Sequence, residues 1–182
     1  GTAPTSYNFV SGDYNRETGL AGDGSTKYLD SNRAGNADPQ NNVHFSVYKS
    51  SGITTGAMIG SLLNVSTNSS FNFIDYFASG FRFTCRGTIS SASASAETAG
   101  FFGASRSLNA AYVRRLLSSS TSVTATSAVA SSNNFFVFNR SGNINYFDSS
   151  RLAFYSIGES LDLAALDTRV SALITAIGAA IP

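Results

Sequence analysis

The stretch Val43-His44-Phe45-Ser46-Val47-Tyr48 decides the fold class of this chain. Its apolar residues Val43, Phe45 and Val47 occupy every second position, and more polar residues lie between them. Successive side chains of a strand point to opposite faces, so this alternation predicts a β-strand with one face in a core. A single strand is not stable alone, so we expect further strands in the sequence around it.

Short segments of the same kind recur on both sides of it. We predict strands within residues 53–63 and at residues 81–88, 101–104, 111–116, 134–139 and 152–157. The nearly continuous apolar run 135–138 predicts a strand buried on both faces. Segment 71–77 is too aromatic to be exposed throughout, and segments 30–42, 64–70 and 90–99 are polar or of low complexity and predict loops.

The hydrophobic period changes after Gly158, where apolar residues begin to recur at steps of three and four. This spacing places them on one stripe of an amphipathic helix over about residues 162–181. Because no helices alternate with the strands, we expect one domain over residues 1–182, an all-β sandwich or jelly roll of two antiparallel sheets with one C-terminal helix. The stripe consists of Leu163, Leu166, Val170, Leu173, Ile177 and Ala180.

The composition excludes some partners. Charged residues make up only 13% of the 182 residues and the net charge is +1, which gives no field that would attract nucleic acid. We expect no apolar run of this sequence to span a bilayer, so membrane insertion is not predicted. Cys85 is the only cysteine, which excludes an intrachain disulfide, and it alternates with Phe81 and Phe83, which predicts a buried thiol.

Three blocks of the sequence carry a resemblance to a known family. They are residues 14–30 with 36–44, residues 100–107, and residues 151–170. In these blocks the chain resembles the concanavalin A-like (laminin G-like) jelly-roll domains of bacteriophage virion proteins. The resemblance implies a tail-fibre, decoration or appendage domain that resides on the virion, contacts other virion proteins and takes part in attachment to the host. Virion fibres are commonly trimers, and the small residues Ala165, Ala172 and Ala176 on the outward side of the helix suit a homotrimer.

A host-surface glycan is the expected ligand of such an attachment domain. Sugar binding requires planar aromatic rings beside amide or carboxylate groups. The alternatives are that these residues are ordinary strand residues and turn formers, and that the domain is purely structural and binds no ligand. The candidate carbohydrate-binding residues are Tyr14, Asn41, Asn42, Tyr48, Tyr76, Asn145 and Tyr146.

Catalysis and metal binding have weaker sequence support. The Glu-x-Asp-x-x-Glu strand motif of glucanases does not occur, and the lone His44 has no partners at a recognisable spacing, so we expect no enzyme activity and a structural or surface role for His44. The alternative function is a carbohydrate-active enzyme domain or an accessory carbohydrate-binding module, in which Asp75, Glu97 and Asp148 would converge. No cofactor is expected. Calcium is the one metal for which there are candidate ligands, Asp23, Asp30 and Asp38, although Asp is also a common turn residue.

The arginines allow two interpretations. Guanidinium groups suit phosphate or acidic sugars, but arginines are also common on the solvated side of half-buried strands, which is the interpretation favoured here. Arg82 and Arg86 are two strand steps apart and are predicted to share a face. The other arginines concerned are Arg106, Arg114 and Arg115.

Overall fold

The computed structural model describes residues 2–62, 71–141 and 145–181, which form two seven-stranded antiparallel sheets and a C-terminal helix. Strands are numbered in chain order. From edge to edge, sheet A contains β1 (Thr5–Tyr7), β4 (Tyr28–Ala34), β13 (Asn134–Val137), β6 (Ala57–Ser61), β7 (Asn72–Phe77), β8 (Gly80–Cys85) and β9 (Ser90–Ser93). Sheet B contains β12 (Ser119–Thr124), β11 (Ala111–Leu116), β10 (Gly100–Arg106), β5 (Val43–Ser51), β14 (Arg151–Gly158), β3 (Gly19–Ala21) and β2 (Tyr14–Asn15). The helix, α1, spans Leu163–Ala180, and a 3-10 turn, Ser11–Asp13, precedes β2.

The hydrophobic core lies between the inner faces of the two sheets. Val43, Phe45 and Val47 of β5 have no exposed surface, as their alternation predicted. The Phe45 ring lies 5.4 Å from the ring of Phe135 in sheet A, so the two sheets are in direct contact. The predicted two-sheet antiparallel sandwich with a C-terminal helix is therefore confirmed.

Helix α1 packs on the outer face of sheet B. Leu163 and Val170 are buried against Phe101 of β10, and Ile174 packs on the same cluster. The predicted stripe is wrong at Leu173, which is 49% exposed, because Ile174, four residues after Val170, takes the inward position. It is also wrong at Ala180, which is exposed at the end of the helix. By length and apolar composition α1 could cross a membrane, contrary to the sequence prediction, although in this fold its stripe lies on the sandwich.

Polar contacts fasten both the start and the middle of α1. The Asp162 carboxylate caps the first turn by accepting hydrogen bonds from the amides of Ala164 and Ala165. Further along, Asp167 forms an ion pair with Arg115 of β11 at 2.8 Å. These contacts set the position of the helix on sheet B.

Several boundaries differ from the prediction. Residues 30–34, expected in a loop, belong to β4, and residues 90–93 form β9 rather than a loop. Strand β12 was not predicted because its Ser- and Thr-rich sequence has no apolar alternation. Residues 135–138 are not buried on both faces, since Phe136 is partly exposed. The aromatic segment 71–77 contains β7, while the loop predicted at residues 64–70 lies outside the described residues.

Arg86, Arg106 and Arg115 are buried, contrary to the interpretation of these arginines as solvated strand residues. Arg86 lies just beyond β8 with a φ of 51°, so strand alternation does not extend to it and it does not share a face with Arg82. Its guanidinium donates to carbonyl oxygens of the loop that follows β4, and Arg106 donates to carbonyl oxygens at the ends of β8, β11 and β12. The acceptors are the carbonyls of Gly35, Asp38 and Pro39 for Arg86, and of Cys85, Leu108, Asn109, Ala111 and Ala125 for Arg106.

Candidate functional site

A row of stacked aromatic rings lies on the outer face of sheet A, the face turned away from sheet B. Tyr7 of β1 is directly opposite Tyr28 of β4, and their rings are parallel within 6° at a centroid distance of 4.4 Å. Phe136 of β13 continues the row, with its ring 4.8 Å from that of Tyr28. Because one face of the Tyr7 ring is covered by Tyr28, the opposite face carries most of its 40% exposure. We call Tyr7, Tyr28 and Phe136 the aromatic row.

Hydrogen-bonding groups are held beside the aromatic row. Asp30 is in register with Phe136 on the same face, and its carboxylate accepts from the Asn134 side-chain amide at 2.9 and 3.2 Å. The same carboxylate accepts from the Asn32 backbone amide at 2.8 Å. Asp30 and Asn134 are only partly buried, so both side chains remain accessible from solvent. Rings and polar groups of this kind together can bind the apolar face and the hydroxyls of a sugar.

An arginine cluster adjoins the row on strands β7 and β8. The fully buried Asp75 carboxylate accepts from Arg82 at 2.8 and 2.6 Å and from Arg140 at 3.2 Å. The Arg82 guanidinium lies over the exposed Phe77 ring at 4.3 Å, and that of Arg140 lies over the Tyr146 ring at 3.5 Å. Two cations around one anion leave a positive charge on this part of the face. We call these five residues the arginine cluster.

A glycine makes room for the arginine cluster. Gly60 of β6 is in register with Phe136 on one side and with Phe73 on the other. A Cβ atom at Gly60 would lie 2.8 Å from the Cβ of Arg140 and 2.9 Å from that of Phe73, too close for any other residue. Because Gly60 has no side chain, the side chain of Arg140 can pack directly on the sheet.

The candidate tyrosines are distributed over different parts of the sandwich. Tyr146 belongs to the arginine cluster, whereas Tyr48 packs beneath α1 on sheet B. Tyr76 packs on the core edge-to-face with Phe81 at 5.1 Å. Tyr14 is 60% exposed at the edge strand β2 of sheet B. The structure therefore does not bring these four tyrosines together.

The candidate asparagines are also dispersed. The Asn42 side chain accepts from the Ser160 amide at 2.8 Å and donates to Glu159 at 3.1 Å, so it ties its loop to the segment before α1. Asn41 is half-buried beside it, and Asn145 is exposed next to Tyr146. Asn145 and Tyr146 are thus the only candidate pair that adjoins the face carrying the aromatic row.

The sequence analysis missed the aromatic row and Asn134. Their association depends on the pairing of β1 with β4 and of β4 with β13, which joins residues more than 100 positions apart. The usable signal was local: Tyr28 and Asp30 alternate with Leu29, which packs on the core. That alternation would have placed both on an outer face if residues 30–34 had been assigned to a strand.

The three calcium candidates have separate partners. Burial acts to raise the pKa of Asp23, but hydrogen bonds from Thr26, Lys27 and Ser25 outweigh it and hold the pKa below its ordinary value. This confirms the alternative that Asp23 is a turn residue. Asp38 pairs with Arg33, and Asp30 bonds Asn134. Within residues 2–62, 71–141 and 145–181, no group of three or more His, Cys, Asp or Glu side chains is placed to hold a metal ion.

Two of the three carboxylates that were candidates for catalysis do not reach solvent. Asp75 is enclosed by its two arginines, and Asp148 is fully buried and accepts from Ser150 and from the Thr55 amide. Burial raises the pKa of Asp148 despite these hydrogen bonds. Glu97 is exposed in the loop after β9. In this arrangement Asp75 and Asp148 cannot flank a glycosidic bond.

His44 and Cys85 have structural positions. His44 lies on the outer side of β5, where Nδ1 is 2.5 Å from the Glu159 carbonyl oxygen and Nε2 is 3.0 Å from Ser156 Oγ. Nδ1 therefore donates to the carbonyl and Nε2 accepts from the hydroxyl, as in a neutral imidazole. Burial raises the pKa of Cys85 to about 12. The predicted buried thiol is confirmed, and His44 is buried with both ring nitrogens hydrogen-bonded.

Comparison of the chain with family models, with curated proteins and with solved structures gives no match. Function is therefore inferred from the geometry of the outer face of sheet A and from the sequence blocks described above.

Proposed function

We propose that this chain is an attachment domain of a bacteriophage particle, in a fibre, decoration or appendage, and that it binds a host-surface glycan on the outer face of sheet A. The observation that supports glycan binding is the aromatic row with Asp30 and Asn134 beside it. The virion setting rests on the resemblance of residues 14–30 with 36–44, residues 100–107 and residues 151–170.

The aromatic row is preorganised for a sugar. Stacking restrains the rings of Tyr7 and Tyr28 before any ligand arrives, so little side-chain entropy is lost on binding. A pyranose placed on the free face of Tyr7 would bury its C–H groups there. Asp30 and Asn134 lie on β4 and β13, on the other side of Tyr28, and would bond the hydroxyls of a further sugar residue of the same glycan. The neighbouring arginine cluster adds positive charge, which favours glycans that carry carboxylate or phosphate groups.

The opposite face of the sandwich supports this choice. The outer face of sheet B is covered by α1 over Phe101, Tyr48 and Phe154. On sheet A, by contrast, Tyr7 and Phe77 remain 40% and 51% exposed. An exposed aromatic surface of this kind is typical of binding sites.

The site can be tested on an array of bacterial capsular and lipopolysaccharide sugars. We expect the wild-type chain to bind a subset, and Tyr7→Ala to bind the same sugars about tenfold more weakly because a ring face is lost. Tyr14→Ala is the matched control, since Tyr14 is an exposed tyrosine on an edge strand of the other sheet. Equal losses in both variants would contradict the proposed site, and a flat array response would leave only the purely structural role.

The alternative function, a carbohydrate-active enzyme domain or accessory module, predicts a different result on the same array. An enzyme would release new reducing ends from a bound polysaccharide, whereas an attachment domain or an accessory module would bind it unchanged. Measurement of reducing ends after prolonged incubation therefore separates catalysis from attachment. The burial of Asp75 and Asp148 favours attachment.

The proposed setting also includes a homotrimer with other virion proteins as neighbours. The outward side of α1 is available for such contacts, because Ala165, Ala172 and Ala176 are exposed. The molar mass in solution tests this part of the proposal, since three times 19.0 kDa is expected for a trimer.

A further inference from the structure

Sheet B has a gap beside its long strand β14. This strand runs from Arg151 to Gly158, but β3 pairs only with Arg151 and Leu152. Strand β3 begins at Gly19, where φ is 89° and any side chain would overlap with the Leu152 backbone. The paired residues of β2 and β3 therefore end level with Ala153. Beyond that point no strand lies on this side of β14 within the described residues.

The hydrogen-bond pattern of sheet B shows which backbone groups face the gap. The Leu117 amide donates to the Phe101 carbonyl oxygen at 2.8 Å, so Phe101 directs its backbone groups towards β11. The next residue, Phe102, therefore directs its groups towards β5, where it pairs with Val47. By the same alternation, Ser46 of β5 directs its groups towards β14.

Ser46 pairs with Ser156, so the backbone groups of Ser156 point towards β5. The amide and carbonyl groups of its neighbours Tyr155 and Ile157 consequently point the other way, into the gap. The side chains of both residues pack on the core, which holds these backbone groups in place. The free edge of β14 is thus a short, rigid row of donors and acceptors.

The free edge borders a cleft between the two sheets with a volume of about 580 Å³. The facing wall is formed by the second half of β4. Arg33 in this wall is neutralised by Asp38 at 2.5 Å, so the cleft has no strong charge preference. The lining residues are Thr2, Ser31, Asn32, Arg33, Ala34, Ala37, Tyr155, Ser156 and Ile157.

We propose that the free edge of β14 at Tyr155 and Ile157, together with the cleft in front of it, binds an extended segment of another polypeptide. This segment adds to sheet B as a strand. Free backbone groups that recur about 6.8 Å apart along a strand edge are matched by another strand. Two strands, β3 and β2, separate β14 from the edge of sheet B at its other end, so the free edge is recessed. An extended terminal or loop segment can reach it more readily than the edge of a second folded sandwich. This inference is independent of glycan binding, which uses the other sheet.

Amide hydrogen exchange tests the free edge in the isolated chain. The amides of Tyr155 and Ile157 are expected to exchange at least about a hundredfold faster than those of Phe154 and Ser156, which bond to β5. Equal protection of the four amides would overturn the proposal.

A peptide pool tests the occupant. The probe is a set of blocked heptapeptides with Val or Thr at alternate positions and randomised residues between them. Peptides that bind should slow exchange of the Tyr155 and Ile157 amides at least about tenfold. The same sequences N-methylated at every residue are the control and should give no protection, because neither edge of such a peptide can donate to β14.

Two proline variants complete the test. Ile157→Pro removes an amide that bonds no other strand, so the fold should persist while peptide protection of Tyr155 is lost. Ser156→Pro removes an amide bonded to β5 and should destabilise the fold strongly. If Ile157→Pro does not fold, the N-methylated control decides. The proposal would be contradicted if protection persisted in folded Ile157→Pro or if N-methylated peptides also gave protection. It would also be contradicted if no peptide gave protection, or if a dimer of the chain itself protected Tyr155 and Ile157.

Discussion

The outer faces of the two sheets are stabilised in opposite ways. On sheet B the outward residues Tyr48, Phe101 and Phe154 are apolar enough to need a cover, which α1 supplies. On sheet A the outward residues include Asp75 and Arg82, which satisfy one another. The difference shows that the inner positions of the strands determine the core, whereas the outer positions determine which face is covered by α1 and which remains exposed.

The largest effect is predicted for removal of the buried negative charge on sheet A. Asp75→Asn leaves Arg82 and Arg140 without their buried anion and should lower the free energy of unfolding by about 3–5 kcal/mol. Urea denaturation followed by circular dichroism measures this. Glu97→Gln, a change at an exposed carboxylate, is the control and should shift stability by less than about 0.5 kcal/mol. Similar values for the two variants would show that sheet A does not depend on the arginine cluster.

The next prediction concerns the packing of α1 on sheet B. Leu163→Ala removes a buried side chain between α1 and Phe101 and should cost about 2–5 kcal/mol. Leu173→Ala makes the same chemical change on the outward side of the helix and should cost far less, because Leu173 is 49% exposed. If both variants lost equal stability in urea denaturation, the orientation of α1 would be wrong.

The smallest predicted effect concerns pH and the segment that leads from sheet B to α1. Burial lowers the pKa of His44 below 6.5, against an opposing effect of the Glu159 carbonyl. As the pH falls below 6.5, the unfolded chain binds a proton before the folded chain does, so the stability supplied by neutral His44 is progressively lost.

His44→Gln should therefore show a weaker loss of stability than the wild type between pH 6.5 and the lowered pKa of His44. Denaturation of both proteins across this range gives the difference curve. Asp148, whose pKa burial raises, titrates in both proteins and cancels in that difference. A flat difference curve would contradict the buried, neutral state of His44.

Local patterns predicted much of the fold. The alternation in β5 and the spacing of Leu163, Leu166 and Val170 identified the central strand and the helix, because burial imposes a period on each. Strand β12 has no such signal, since its Ser and Thr residues are polar on both faces. Leu173 was misassigned because a step of three from Val170 fits a helical stripe almost as well as the step of four to Ile174.

The candidate site was less predictable than the fold. Tyr7, Phe136 and Asn134 meet Tyr28 and Asp30 only through strand pairing, which a single sequence does not specify. The burial of Arg86 and Arg106 could not be predicted from the sequence for a related reason. Most of their hydrogen-bond acceptors are backbone carbonyls, which carry no residue identity, so no complementary acidic residue indicates them in the sequence.

The burial of Cys85 has a practical consequence. It is the only sulfhydryl in the chain, and with no exposed surface and a pKa of about 12 it should remain inert towards maleimides at neutral pH. A cysteine introduced at an exposed position such as Ser122 would then be the sole reactive point for a fluorophore or spin label. The molecule can therefore be tagged at one chosen place without first removing its native thiol.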